Sequence, residues 1–354
     1  MKDSLTIRAG AVAIEELRDG GRQADRFSAL LGASGGPKWL VLSQMDRVLA
    51  GEFVGRRVQP LVVIGSSIGT YRHLCMALPD PVAAIGRFEN AYVEQAYERE
   101  PTPSEVTEVT RRVLGELFGA DGRIRVLESP TIHTHIVTVR SRWPVAASAR
   151  PLLAPGLGAA ALANALDRRL LGSFFERVVF HTGQPGAEFD GFSTRWVPLS
   201  GRNLDDAVLA SGSIPLVMEA VEDPSGAPQG RYRDGGIIDY HFDFEFDLPQ
   251  GLALFPHFFD RITPGWFDKF LAWRRPQGRA LARTVLVSPS REFVEGLPGG
   301  RVPDRSDFRS LSTSERQSRW REIVDRCRRL ADDLADRLAT GRLVEGALAF
   351  DDHV

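Results

Sequence analysis

The sequence predicts an α/β fold in which parallel strands are joined by helices, and three observations carry that prediction. Short apolar runs bounded by glycine alternate with longer helical patterns, as in successive β-α-β units. The runs at residues 27–31 and 61–64 each end in a glycine-rich turn that opens a helical stretch. Strand, loop, helix, strand, turn, helix is therefore the order over residues 27–76, which implies two parallel strands joined by a right-handed crossover. Finally, 354 residues, 43% hydrophobic and 25% charged, suffice for a large buried core. There is no repeat, low-complexity tract or clear linker, so the chain is read as one domain over 1–354. Its motifs fall within about 27–240, and a helical extension follows at about 305–345.

Composition excludes several classes. A formal net charge of −2 gives no reason to expect a nucleic-acid partner. Cys75 and Cys327 lie far apart in helical apolar patterns, so they read as small core residues in a reducing, cytoplasmic setting, without a disulfide framework. The first residues carry acidic side chains and no apolar core of a leader peptide. The longest uncharged apolar run, 151–166, is interrupted by Pro155, Gly156 and Gly158, which makes it a poor membrane span.

Taken in order, residues 5–8 read as an edge strand and 12–17 as a short amphipathic segment. Residues 27–31 form a buried strand, and the loop 32–39 turns into a helix that runs to about Leu49. Pro37 suits the first turn of that helix, where an N–H would have no partner. Residues 80–120 are helical, broken at Pro101 and capped again at 102–105. Residues 132–139 alternate as a strand with His133 and His135 on one face; without a third ligand they read as polar-face histidines and not as a metal site. Residues 152–175 read as a core helix, with a lid over a lipid-binding cleft as the alternative. Strands follow at 178–181, 194–198, 252–255 and 284–287. The segment 266–273 combines aromatic residues with Lys269, Arg274 and Arg275; it suits a bilayer interface or an ordinary half-buried helix. Residues 313–338 form one long amphipathic helix with a stripe from Trp320 to Leu338.

The chemistry is expected at Gly65-Ser66-Ser67-Ile68-Gly69, a G-x-S-x-G pattern between a strand and a helix. A sharp turn there presses the flanking backbones together, and a Cβ at Gly65 or Gly69 would collide. Ser67 would project from the top of the sheet at a helix N-terminus, where developing negative charge is favoured. The loop Gly32-Ala33-Ser34-Gly35-Gly36-Pro37-Lys38-Trp39 meets neither the dinucleotide nor the P-loop spacing. It reads better as an oxyanion hole, with N–H groups near Gly35 and Gly36 aimed at a developing oxyanion. Asp234-Gly235-Gly236 closes a short extended run, and taken alone is an ordinary turn signal.

Together the glycine loop, the elbow, the stretch Ala210-Ser211-Gly212-Ser213-Ile214-Pro215 and Asp234-Gly235-Gly236 resemble, in content and order, the patatin-like phospholipases and acyl hydrolases. The family loop carries three glycines, a variable residue, Arg or Lys, then glycine; here Ser34 takes the first position and Trp39 the last, while Lys38 keeps the basic one. The resemblance implies a three-layer αβα sandwich with a mostly parallel central sheet. It also implies a Ser67–Asp234 dyad that hydrolyses lipid or other acyl esters, an oxyanion hole near Gly35 and Gly36, and no cofactor. Contact with a membrane surface would be peripheral. Two alternatives stand beside it: a Ser-acid-His triad with His241 or His257 as base, and a lipid-binding protein of the same fold without catalysis.

Overall fold

The computed structural model describes residues 4–350 except 19–22, 56, 58, 98–99, 185–191, 244–250, 272, 275 and 277–280. Arg275 of the aromatic, basic segment therefore lies outside the described residues. Among the described residues eleven strands form one sheet: β1 (Leu5–Ala9), β2 (Phe27–Gly32), β3 (Leu61–Ser66), β4 (Ile132–Ser141), β5 (Phe175–His181), β6 (Thr194–Pro198), β7 (Val221–Glu222), β8 (Arg231–Asp234), β9 (Leu252–Pro256), β10 (Thr284–Pro289) and β11 (Leu348–Ala349). The order is β11-β1-β10-β9-β2-β3-β4-β5-β6, with β8 on β4 and β7 on β8. The central run β10-β9-β2-β3-β4 is parallel, while β1–β10, β4–β5, β4–β8 and β7–β8 are antiparallel. With helices around a mostly parallel sheet the fold is α/β, consistent with three layers.

The central strands are apolar because both sheet faces are covered there. Leu30, Leu31, Val63, Leu254 and Leu286 are essentially inaccessible to water, each worth about 1.5–3 kcal/mol of burial. Helix Ile68–Met76 packs across β2, β3 and β4 and is buried along its whole length. Its Arg72 grips Asp46 of helix Ser43–Leu49 through two hydrogen bonds of 2.9 and 2.7 Å. Cys75 and Cys327 are both free and buried. His135 stacks on His181 with ring centroids 5.7 Å apart, and among the described residues no group of three or more metal-ligating side chains forms.

Several element boundaries differ from the sequence expectation. The helix expected from Pro37 to Leu49 is a 3-10 stretch, Gly36–Val41, followed by helix Ser43–Leu49. The helix expected through residue 175 ends as Arg150–Leu166. There Asp167 turns extended, and its carboxylate accepts the Arg169 N–H at 2.9 Å, starting a separate short turn before β5. The long C-terminal helix divides at Cys327 into Thr313–Arg326 and Arg328–Ala339. The bend serves two surfaces: the first half packs on the helix Pro81–Glu94, the second on helix Ser43–Leu49 and β1. Helix Pro103–Phe118 begins as expected, with Thr102 and Glu105 capping each other's backbone N–H groups.

Candidate active site

The elbow forms as its glycines demand. A Cβ on Gly69 would stand 1.8 Å from the Gly32 carbonyl oxygen, and one on Gly65 2.5 Å from the Thr70 nitrogen, so strand, turn and helix touch backbone to backbone. Between them Ser67 adopts φ 54° and ψ −127°, a conformation costing about 1–3 kcal/mol for a residue with a side chain. The strain is held from three sides. The Ser67 N–H donates to Ser211 Oγ at 3.0 Å; Ser211 Oγ lies 2.9 Å from Thr70 Oγ1 and donates to the Val137 carbonyl at 2.7 Å. Ser211 belongs to the stretch 210–215, which the sequence offered only as one of four motifs in order, with no role for this serine. In the fold its hydroxyl ties the elbow to the sheet.

Asp234 reaches Ser67 because of one feature of sheet register. β3 runs parallel along one edge of β4 and stops with Ser66 opposite Val137. β8 runs antiparallel along the same edge and stops with Asp234 opposite Thr138. Two strands thus converge end to end on adjacent residues of β4. The residues at their tips meet there: Ser67 Oγ donates to Asp234 Oδ2 at 2.7 Å. The other carboxylate oxygen accepts the Gly236 N–H at 2.7 Å, and the Asp234 N–H donates to the Ser213 carbonyl at 3.0 Å. Burial raises the Asp234 carboxyl to about 6, against the pull of the Ser67 hydroxyl, the Gly236 N–H and the charges of Arg305 and Lys269. Among the described residues it makes no ion pair.

Gly35 and Gly36 line the same cavity as Ser67 and Asp234, a space of about 170 Å³. Gly36 has φ +55°, which suits glycine, and the Gly35 and Gly36 N–H groups donate to no described residue. Ser34 donates its hydroxyl to Ser66 Oγ at 3.0 Å, and Trp39 is buried, stacked on Phe88 at 4.6 Å. Lys38 forms an ion pair with Asp304. A larger hollow of about 420 Å³ lies elsewhere, lined by Arg47, Glu89 and Arg328. Arg47 and Glu89 are paired at 3.0 Å, and that hollow holds no nucleophile beside a base, so size alone does not mark the site.

Among the described residues, no histidine lines the cavity of Ser67. His241 Nδ1 accepts the Thr263 N–H at 3.0 Å, and His257 Nδ1 accepts that of Phe259 at 3.0 Å. Burial holds both rings neutral, His257 down to about 3. Sequence reasoning did not place Tyr240, Trp266, Lys269, Asp304 or Arg305 here, although all line the cavity. Their only sequence signal is aromatic residues beside a lysine in 266–273.

No protein-family model matches the chain, and no curated protein matches it. What fold and site define is a class: an α/β protein with a serine hydroxyl and a buried carboxylate hydrogen-bonded at a strand-to-helix elbow, beside free backbone amides. None of the helices among the described residues is long and apolar enough to cross a membrane.

Proposed function

We propose that this chain is a serine acyl-ester hydrolase of patatin-like organisation, acting through Ser67 and Asp234. The observation that carries the proposal is the 2.7 Å hydrogen bond from the Ser67 hydroxyl to a buried carboxylate. A carboxylate whose pKa lies near 6 is ionised at neutral pH, yet basic enough to take a proton in a transition state. Asp234 accepts the Ser67 proton while Oγ bonds to the ester carbonyl carbon, and the carbonyl electron pair moves onto oxygen beside the Gly35 and Gly36 amides. Collapse expels the alcohol, which takes the proton from Asp234 and leaves an acyl-serine. Water then gives a proton to Asp234 as it attacks that ester, and the acid departs as Ser67 is reprotonated.

Apolar surface near the site supports a lipid substrate and peripheral contact with a membrane. Leu162, Leu166, Phe270 and Trp273 are all exposed, Phe270 by 91%. Their two segments are joined where Asn164 donates to Asp268 at 2.7 Å and Arg274 to the Asn164 carbonyl at 2.5 Å. Trp266, at the start of the second segment, lines the cavity. The test is release of fatty acid from a panel of acyl esters and phospholipids, run beside Ser67→Ala. The proposal expects turnover that the variant loses; turnover of no ester, or equal turnover by the variant, refutes it.

A further inference from the structure

Two cations at the cavity have no ion-pair partner among the described residues. Lys38 and Asp304 neutralise one another, and Asp304 is engaged further by the Ser306 N–H and hydroxyl, each at 3.0 Å. Lys269 and Arg305, which line the same cavity, form no ion pair among the described residues. The Lys269 residue is exposed, but its ammonium sits over the Tyr240 ring, 3.9 Å from the centroid, and 5.9 Å from that of Trp266. Arg305 lies over the glycine loop: its Nη2 is 3.5 Å from where a Cβ on Gly36 would stand. The aromatic platform and the guanidinium thus line the cavity in which an ester would meet Ser67, and among the described residues the unpaired carboxylate lining that cavity is the proposed base, Asp234.

We infer that Lys269 and Arg305 form an anion subsite beside the dyad, so that the favoured esters carry a phosphate or carboxylate a few bonds from the scissile acyl group. This rests on the acyl-ester hydrolase reading and deepens it by naming a substrate class. A guanidinium and an ammonium lining one cavity suit the several oxygens of either anion. Loss of water around the Lys269 ammonium, with Lys38 and Arg305 nearby, lowers it to about 7. An arriving anion would draw the proton back onto it near neutral pH.

Matched ester pairs test the subsite: 1-butyrylglycerol beside its 3-phosphate, and the amide of O-butyryl-lactic acid beside the free acid, with butyrate release measured for each. The expected result is a kcat/KM at least roughly tenfold higher for an anionic member, the minimum worth of one charged hydrogen bond, expressed in KM; the stronger pair tells phosphate from carboxylate. Lys269→Gln and Arg305→Gln should each reduce that preference roughly tenfold, whereas Lys269→Arg should keep most of it. No preference in the wild type, or one that both glutamine variants keep, overturns the inference. If no ester is turned over, the hydrolase reading falls and calorimetric titration with inorganic phosphate decides the subsite. Saturable millimolar binding weakened by both variants upholds it, and no binding overturns it.

Discussion

Asp234 and Asp239 lie five positions apart, are both buried, and face opposite kinds of partner. Asp239 is clasped by the buried Arg177, whose Nε and Nη2 each donate to it at 2.6 Å. Asp234 receives one hydroxyl and one backbone N–H and no cation within bonding distance. The first arrangement fixes charge and holds β5 to the chain beyond the second glycine. The second leaves a carboxylate desolvated and only partly compensated, and that keeps it basic. Burial without a paired cation raises the Asp234 carboxyl, as the proposed role of base requires.

Substitution separates the two carboxylates most clearly. Asp234→Asn keeps the shape of the side chain and removes its basicity, so kcat/KM on any ester substrate should fall by roughly 10³–10⁴, as when a catalytic residue acting as part of a unit is lost. Its urea midpoint should move little. Asp239→Asn should do the reverse. It strips the buried Arg177 of its counter-charge and should cost about 3–5 kcal/mol of stability, read from urea unfolding, while the folded fraction keeps far more activity than Asp234→Asn does. Equal activity losses in the two variants would erase the distinction.

A smaller effect is expected at the elbow. Ser211→Ala leaves the Ser67 N–H and the Thr70 hydroxyl short of a partner and should cost about 1–3 kcal/mol, seen as a lower Tm together with a lower kcat. A fall in Tm with kcat intact would mean that Ser211 holds the sheet and not the nucleophile. The gentlest test is pH. With Asp234 near 6, the ionised fraction falls as pH drops, so kcat/KM should decline tenfold per unit below about 6 and level off above it. In Asp239→Asn the same inflection should persist.

How much of this was legible in the chain follows from how local each cause is. The elbow is written in residues 65–69 because its glycines answer a steric demand within five positions. The glycine loop is legible for the same reason, even with Ser34 and Trp39 in place of glycines. Asp234 could be named from its Asp-Gly-Gly turn and the order of motifs. What brings it to Ser67 is the register by which β3 and β8 share an edge of β4, and no local pattern encodes that. The places of Ser211, Lys269 and Arg305 beside Ser67 were not legible for a related reason: Ser211 reaches Ser67 across 144 positions, and Lys269 and Arg305 join its cavity from segments far along the chain from the elbow. The bend at Cys327 was hidden by an apolar stripe that continues unbroken while the surface it covers changes.

The proposed chemistry turns on one atom, Ser67 Oγ. Exposure of the protein to a fluorophosphonate, followed by peptide mass spectrometry, reads the reactivity of Ser67 without any choice of substrate. The expected result is a single phosphonyl adduct on Ser67 in the wild type, formed far more slowly in Asp234→Asn and absent from Ser67→Ala. An unlabelled Ser67, or labelling at the same rate once Asp234 is replaced, would contradict it.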